Sequence, residues 1–479
     1  MKKTKIIATI GPASDNETCL RDMIKAGVNV FRLNFSHGSH EYHLQNLLKV
    51  RKISNELGVN IGILQDISGP KIRVRELPEP FILKKDDRLD IYRHDITAKQ
   101  ISENHYQVST NYNGILGAVK KDEAIFLCDG SIKVIVNDIN ENYLQCEVQN
   151  EGKLSSNKGI NFPNTKINID VITQKDMNDL MWGVQNNVDF IAISFVQNEN
   201  DIKNVKNLIK NYENTPAIFA KIEKFDAVEN IDEILKISDG IMVARGDLGI
   251  EVPFYKVPSI QKEIIKKANS MSKPVITATQ MLLSLTNAKN ATRAEISDVA
   301  NAVLDGSDAV MLSEESAVGI SPVNAVSIMA QTINEVENIY PYFKFDYEKV
   351  DVTDTIASSA VHLAKNIKAD AIICLTSSGG SVRKIARYRP NTKIITMSHC
   401  EKTLRKLSIS WGLSNAYVVE KSENLHELLQ NCIKVGVEKG VIDKNKTYVI
   451  TAGHPVGKVG STNLIRVLEK EQIDYYLNL

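Results

Sequence analysis

The sequence predicts an α/β protein: a (β/α)8 TIM barrel, a small β-barrel domain inserted into it, and a C-terminal α/β domain. Three observations carry this. Eight short apolar runs recur, each trailed by a segment of helical period. The interval 74–163 breaks that rhythm with short alternating patches. The α/β alternation then restarts over 342–479.

The apolar runs are 4–10, 28–36, 60–67, 188–196, 217–223, 240–247, 274–280 and 309–313. They are short and flanked by Gly, Pro, Asp or Asn, as buried parallel strands are. Helical patterns lie between them. In 258–272, Ile260, Ile264, Ile265 and Ala268 share one face, and Lys262, Lys266 and Lys267 fall elsewhere. Within 74–163 the patches 88–92, 124–128, 132–136 and 143–148 alternate as strands do. Asn113-Gly114 and Asp129-Gly130 supply turns, and no long amphipathic helix intervenes. An all-β domain inserted after the third strand is therefore expected. The flanking segments, 1–73 and 164–341, together supply about 250 residues, the usual length of such a barrel. In 342–479 the candidate strands are 370–376, 393–397, 416–420, 446–451 and 463–468. A helix over 424–439 places Leu425, Leu428, Leu429, Cys432 and Ile433 on one side.

Composition excludes several function classes. The 479 residues carry 58 Lys+Arg against 58 Asp+Glu, so no basic excess is available for nucleic acid or an acidic membrane surface. Hydrophobic residues at 43% and charged residues at 24% fit a globular chain and not a disordered one. No run of 18 apolar residues occurs, which excludes a transmembrane helix. Met1-Lys2-Lys3 is basic, but the apolar stretch from Ile6 to Ile10 stops at Gly11-Pro12, too soon for a signal peptide. Cys19, Cys128, Cys146, Cys374, Cys400 and Cys432 form no C-x-x-C. Neither a disulfide framework nor a zinc site is implied, and a reducing cytoplasm is the expected setting.

Active sites of such barrels sit at the C-terminal ends of the strands. There the second run offers Arg32, Asn34, Ser36 and His37, and the third ends at Asp66. The fifth ends in Lys221 and Glu223, the sixth in Arg245, Gly246 and Asp247, the seventh at Thr279 and the eighth at Ser313. Burying so many charges without a use for them would be costly. Lys221 and Glu223, two apart on a strand, face the same side. Glu223 and Asp247, with no His or Cys beside them, suit Mg²⁺ or Mn²⁺ completed by substrate oxygens and water. Gly246 lets backbone N–H groups approach an anion. Arg32, Arg73 and Lys221 supply positive charge for phosphate or carboxylate. Together they fit a small, phosphorylated substrate held on a metal. Neither G-x-x-x-x-G-K-[ST] nor a strand-following G-x-G-x-x-G occurs, and the string Gly453 to Val459 has the wrong spacing, so the rim itself must hold any nucleotide. His40, His43, His94 and His105 show no ligand spacing, and Trp182 and Trp411 read as packing residues.

At these residues the chain resembles the pyruvate kinase family over essentially its whole length. The strings that carry the resemblance are TKIIATIGPAS (4–14), NVFRLNFSHG (29–38), GPKIR (69–73), KGINFP (158–163), AKIE (220–223), SDGIMVARGDLGIE (238–251), KPVITATQM (273–281), TRAEISDVANAVLDG (292–306) and MLSEES (311–316). The resemblance implies phosphoryl transfer from phosphoenolpyruvate to ADP, Mg²⁺ (or Mn²⁺) as cofactor, and a homotetramer. It implies that Lys221 stabilises the phosphoryl group in flight and the enolate, and that Glu223 and Asp247 hold the metal. Gly246, Asp247 and Thr279 would bind the substrate carboxylate, and Arg32 its phosphate. Asn34, Ser36, His37, Arg73 and Lys158 would lie on the nucleotide side. Thr279 and Ser313 would deliver, through water, the proton that yields pyruvate. The inserted domain is placed to close over the rim as a lid.

The chain also departs from the family. Many members read Asp-Thr-Lys-Gly-Pro-Glu where this chain has Asp66-Ile67-Ser68-Gly69-Pro70-Lys71. The positions of Asn34, Ser36, Asp66 and Ile67 hold K⁺ in potassium-activated members. Lys71 resembles the potassium-independent type, in which an ammonium replaces K⁺, so K⁺ is expected not to be required. Glu314 stands where Gly is common, and Ser316 where Thr is. In the C-terminal domain Thr376, Ser377, Ser378, Gly379 and Ser381 form a Ser/Gly-rich turn before a helical stretch, suited to a phosphate. The turn matches the family's sugar-phosphate effector loop, partnered by 457–462, and Gly380 stands where some members have Arg. A phosphorylated allosteric effector is therefore expected.

Two other classes stay open. A Mg²⁺-dependent lyase or aldolase would share Glu223 and Asp247 but would not need Arg73, Lys158 or a lid. A catalytically inert metabolite sensor would need only the C-terminal domain, which the intact set Lys221, Glu223, Asp247 and Thr279 argues against. Pyruvate formation strictly dependent on ADP and Mg²⁺ separates all three.

Overall fold

A computed structural model describes residues 2–163, 165–167, 169–343, 347–458 and 460–478; Met1, and Val459 of the expected 457–462 loop, lie outside the described residues. All eight apolar runs form strands: β1 (Lys5–Thr9), β2 (Val30–Asn34), β3 (Gly62–Asp66), β4 (Phe190–Ile193), β5 (Ala217–Ile222), β6 (Gly240–Ala244), β7 (Val275–Ala278) and β8 (Ala309–Leu312). They are parallel and close into a barrel in chain order, with β8 beside β1. Each ladder is shorter than its apolar run. The surplus residues at the C-terminal ends, such as Ser36, Ser194 and Glu223, have left the ladder and are free to turn polar groups over the barrel mouth.

Alternation sorts the barrel residues into two layers. Ile7, Val30, Leu64, Phe190, Phe219, Met242 and Ile276 fill the interior, where Phe190 and Phe219 meet edge to face. Ile6, Phe31, Ile63, Ile191 and Ile218 point outward under the helices. The helices begin where short polar side chains meet orphan amides. Asn16 accepts from Cys19 at the start of Glu17–Ala26, and Thr292 and Glu295 form a capping box on Arg293–Asp305. Trp182 and Trp411 are buried, as packing residues are.

A four-fold repeat closes the opposite end of the barrel. The residue just before each even strand accepts an N–H from the strand before it. Asn29 takes Ile6 (3.0 Å), Asp189 takes Ile63 (2.8 Å), Asp239 takes Ile218 (2.8 Å) and Asp308 takes Val275 (3.0 Å). Each bond satisfies a strand-end amide that the ladder leaves exposed, and so pins the pairing register.

The chain leaves β3 into the insert and returns to the helix Gln174–Gln185. The insert's main sheet has seven strands, in the order Ile160–Asn161, Ala124–Leu127, Ile132–Ile139, Tyr143–Val148, Arg88–Tyr92, His105–Ser109 and Lys99–Ser102. A ribbon of Phe81–Leu83 and Gly152–Leu154 completes it. One core serves both, running from Val74 to Ile167 and separate from that of the barrel.

The C-terminal domain is a five-stranded sheet of β9 (Ala371–Leu375), β10 (Lys393–Ser398), β11 (Leu413–Val418), β12 (Tyr448–Gly453) and β13 (Thr462–Leu468), in the order β11-β10-β9-β12-β13. Only β12 and β13 run antiparallel. The domain docks under the barrel, where Ile409 joins the apolar residues of the interior. Arg389, 1% exposed, bonds Asp308 (3.0 Å), Asn269 (2.6 Å) and the carbonyl of Gly306 (2.6 Å). Arg405 reaches Asp189 at 3.1 Å. Two of the three strand-capping acids thus also anchor the second domain.

Beside these anchors a cavity of about 370 Å³ is lined by Lys2 and Lys5. The Lys5 ammonium donates to the carbonyl of Leu413 at 2.5 Å, while Glu337 is taken up by the amides of Lys3 and Thr4. Burial pushes Lys5 down to about 8, against the opposing pull of Glu337. An unfolded lysine titrates near 10.4, so between about 8 and 10.4 the unfolded chain binds the extra proton and stability rises with pH. Relative to Lys5→Met, the protein should gain about 3 kcal/mol over that interval. Parallel urea unfolding of both proteins at pH 7.5 and 10 checks this, and curves that stay a constant distance apart would refute it.

Candidate functional site

The rim is organised around Asp66 at the end of β3. Arg32, from β2, donates its Nε to Asp66 Oδ2 at 2.7 Å and its Nη1 to Thr9 Oγ1 at 3.0 Å. Lys221, from β5, lies 3.1 Å from Asp66 Oδ1 and 2.8 Å from Glu223 Oε1, and donates to Ser194 Oγ at 2.7 Å. The spacing of Lys221 and Glu223 does place both side chains on one side. Asp66 and Glu223 are 2% and 1% exposed, so these contacts are made out of water. Burial opposes the Lys221 charge, but Asp66 and Glu223 outweigh it and hold the ammonium above its ordinary range. For Asp66 burial acts upward, and Lys221 and Arg32 overcome it, leaving the carboxyl below its usual value. Glu223 is pushed up to about 6 by burial, with the Asp247 charge adding to it and Lys221 opposing.

Glu223 keeps its second oxygen on the amide of Phe195 at 2.8 Å. Asp247, on the helix Arg245–Glu251 directly after β6, has no hydrogen bond or ion pair to its carboxylate among the described residues. Two neighbouring carboxylates, one open and one raised by burial and further by the other's charge, fit a hard divalent cation, which would relieve their repulsion. Among the described residues no cluster of three or more His, Cys, Asp or Glu side chains could hold a metal, so a cation here would need oxygens from substrate and water.

A strained turn follows β7. Thr279 and Gln280 are consecutive left-handed residues, φ 68° and 54°. Arg245 holds them: its Nη2 donates to the carbonyl of Thr279 at 2.8 Å, and its Nη1 to Asp298 at 2.7 Å. Arg245 therefore serves the turn, its charge met by Asp298. The Gly246 amide, expected to be open, donates to Thr279 Oγ1 at 2.9 Å, because the turn brings that hydroxyl directly over the helix start. Glu315, 1% exposed, ties the next two loops by accepting from Leu282 (3.0 Å) and Ser313 (2.7 Å). Ser313 Oγ is buried and has no hydrogen-bond partner among the described residues.

A cavity of about 840 Å³ opens above, lined by Arg32, Asn34, Ser36, His37, Asp66, Lys71, Arg73, Lys221, Glu223 and Asp247 among others. Thr279, Gly246 and Ser313 lie outside this lining, as does Lys158, whose side chain is exposed. Ile67 departs from the expected cation site. Its side chain is buried in the outward core, and its carbonyl accepts from Ser194 at 2.7 Å, so only backbone is offered there. Lys71 lines the cavity, yet its ammonium bonds Asp129 of the insert at 3.0 Å and not Asp66.

Sequence reasoning missed Ser194 and Lys175. Lys175 lines the same cavity and bonds the carbonyl of Phe35 (2.8 Å), Ser68 Oγ (3.2 Å) and Asp179 (2.6 Å). One is a lone serine after a strand and the other a lysine in the first turn of a helix. Neither position differs in sequence from a solvated one. The histidines pair as satisfied groups do: His40 with Asp179 (2.7 Å), His43 with the carbonyl of His37 (2.8 Å), His105 with Asp90 (2.8 Å).

In the C-terminal domain Thr376, Ser377, Ser378 and Ser381 line a separate cavity of about 200 Å³ with Lys384, Lys458 and Thr462. Gly379, at φ 83°, caps the helix Gly380–Arg387 and donates its amide to Thr376 Oγ1 at 2.9 Å. Ser381 and Thr462 share a hydrogen bond that joins the two loops.

Residues 1–326 match the family described as pyruvate kinase, barrel domain, and residues 354–468 that described as pyruvate kinase, alpha/beta domain. A curated pyruvate kinase of Staphylococcus epidermidis is 40% identical over 474 residues, covering 98% of this chain and 80% of the relative. One from Staphylococcus aureus strain MRSA252 is 39% identical over 478 residues, again covering 98% and 80%. The crystal structure of a pyruvate kinase from Cryptosporidium parvum superposes with a TM-score of 0.90 at 35% identity, over 98% of this chain and 96% of that one.

Asp66→Asn removes the shared carboxylate, leaving Arg32 without its ion pair and Lys221 with Glu223 alone. Breaking a buried pair from one side should cost about 3 kcal/mol or more. Urea unfolding at pH 7 should show it, and a loss below about 1 kcal/mol, the scale of an exposed pair, would deny Asp66 its central place.

Proposed function

The chain belongs to the pyruvate kinase family, and we propose that the rim around Asp66 is where it works. It is a phosphotransferase, moving the phosphoryl group of phosphoenolpyruvate to ADP to give pyruvate and ATP in the last step of glycolysis. The observation that carries the site assignment is Lys221: a buried, charged ammonium between two carboxylates and a serine, beside an open Asp247. Phosphoryl transfer needs positioning and neutralisation of oxygens more than covalent help, and a preorganised cation in a dry site supplies that.

Glu223 and Asp247 would hold a Mg²⁺ (or Mn²⁺), which when bound would neutralise phosphoryl and carboxylate oxygens. Arg32, fixed by Asp66 and Thr9, receives the phosphate of phosphoenolpyruvate. Its carboxylate lies toward Asp247 and Thr279, sharing the Gly246 amide with the Thr279 hydroxyl. As an oxygen of the ADP β-phosphate bonds to phosphorus, the bond between phosphorus and the bridging oxygen breaks, and its electron pair stays on that oxygen as the enolate. Lys221 stays on the transferring group and then on the enolate. Thr279 and the unpartnered Ser313 hydroxyl pass a proton, through water, to the carbon that becomes the methyl of pyruvate. Arg73, Lys158, Asn34, Ser36 and His37 form the nucleotide side, and Lys175 adds a third cation to that wall. The insert, 74–163, closes over the mouth and excludes water.

Lys71 makes the enzyme independent of K⁺, since an ammonium lines the cavity that also holds Asn34, Ser36 and Asp66. A phosphorylated effector binds the Thr376–Ser381 loop, and the subunits form a homotetramer, for which the exposed Phe254 and Tyr255 offer apolar surface. The enzyme acts in the cytoplasm. No helix among the described residues is long and apolar enough to cross a membrane.

Pyruvate should form from phosphoenolpyruvate only with ADP and Mg²⁺ present. Lys221→Met should lower that rate at least about a hundredfold, the scale of losing one aimed electrostatic group. A variant within tenfold of the parent would refute the role of Lys221. Replacing K⁺ by tetramethylammonium should leave the parent rate unchanged, and collapse of activity would refute the role given to Lys71.

A further inference from the structure

The barrel floor and the C-terminal domain meet over more positive charge than they neutralise. A cleft of about 10 Å³ lies at their junction, far from the barrel mouth. It is lined by Lys273, just ahead of β7, by Arg383 and Arg387 of the helix Gly380–Arg387, and by Arg389. Arg383 and Arg387 are four apart, so one face of the helix carries both, and like charges at that spacing repel.

Two of these four cations have a carboxylate. Arg389 is met by Asp308 at 3.0 Å and Arg387 by Asp354 at 2.6 Å. Lys273 donates to the carbonyl of Ser238 at 2.7 Å, a partner without charge. The Arg383 guanidinium forms no hydrogen bond or ion pair among the described residues. Burial pushes Lys273 down, with Asp239 opposing and Lys206 and Arg383 adding to the push. Burial pushes Arg383 down as well, and Asp239 is again the carboxylate that opposes it. Yet the Asp239 oxygens are already taken, one by Lys206 at 2.8 Å and the other by the amide of Ile218 at 2.8 Å. Two cations drawn partly out of water thus lack a carboxylate of their own, which is unfavourable unless something pairs with them.

The rest of the lining points the same way. Ser410 Oγ, on a residue 1% exposed, and the Nε groups of Arg387 and Arg389 are buried without a partner among the described residues. The side-chain acceptors beside them are engaged. Asp308 accepts from Arg389 and from the amide of Val275, and Asn269 Oδ1 accepts from Arg389 at 2.6 Å. The cleft therefore offers positive charge and unpaired donors. About 10 Å³ gives room for one water-sized guest, so a monoatomic ion enters and a phosphate group does not.

We propose that this cleft binds a single chloride-sized anion, held between Lys273 of the barrel and Arg383 of the C-terminal domain. The ion is the counter-charge that neither domain supplies, and it joins the two. The site lies at the end of the strands opposite the rim, so it stands or falls apart from the assignment of the active site.

Crystals of the full chain grown in sodium bromide test this directly. An anomalous bromine peak is expected in contact with Lys273 Nζ and the Arg383 guanidinium. In solution, replacing gluconate by chloride at fixed ionic strength should raise the melting temperature by about 2 °C, through mass action on the folded state. Arg383→Gln and Lys273→Gln should each abolish that rise. Both side chains are partly exposed, and if one variant fails to fold, the other and the bromine peak still decide. A cleft that holds only water in bromide crystals, or a chloride-dependent rise that persists in the variants, would overturn the proposal. Bromide in the crystal with no chloride-dependent rise in the parent would mean an adventitious ion only, and would overturn it too.

Discussion

One buried carboxylate has to serve two cations. Asp66 is held by Arg32 on one oxygen and approached by Lys221 on the other, and neither cation could be kept charged out of water without it. With Glu223 the four groups sum to zero, so the barrel mouth carries its charges at little net electrostatic cost. Asp247 then stands as an uncompensated negative charge, which a bound divalent cation would convert into a net positive one. A neutral protein with balanced surface charge can in this way present a positive pocket to two anionic substrates. The price of keeping that charge in place falls on the few residues around Asp66, which explains why so many hydroxyls and amides, from Thr9, Ser194 and Phe195, are drawn to the same spot.

The barrel was legible because its signal is local. Alternation and length mark each strand, and the strand ends name Arg32, Asp66, Lys221, Glu223 and Asp247 without reference to one another. What was not legible is pairing. Arg32 and Asp66 are 34 residues apart, and Lys71 and Asp129 are 58 apart. No pattern within either segment says which partner a charge will take. The sequence suggests an ammonium in place of K⁺ at Lys71 and is silent on Asp129, the partner that the fold gives it. Gly246 was read as an open amide, but a hydroxyl from the following loop occupies it. Ile67 illustrates a different gap. One residue's step along a strand decides whether a side chain enters the cavity or the core, and the ladder ends too close to Ile67 for the sequence to settle the step.

The two ends of the barrel divide their tasks. The mouth spends its polar groups on charge, and the far end spends them on register. Four capping residues at every second strand give the barrel an internal two-strand unit, repeated around the ring, that the chain's interruptions do not disturb. The insert interrupts the unit made by β3 and β4, and the cap from Asp189 to Ile63 spans the interruption, bridging a sequence separation of 126. The strands from which the insert departs are therefore tied to each other independently of it.

The capping acids carry one more consequence. Asp189 and Asp308 each face a backbone amide of the barrel and a guanidinium of the other domain. Severed from that domain, the barrel floor would expose Ile7, Phe190 and their neighbours where Ile409 had covered them, Asp308 would lose Arg389, and Asp189 would keep only Arg51 of its two guanidinium partners. The passage from the barrel to the C-terminal domain is a joint in the chain but not a seam in the molecule. The barrel has no finished underside of its own.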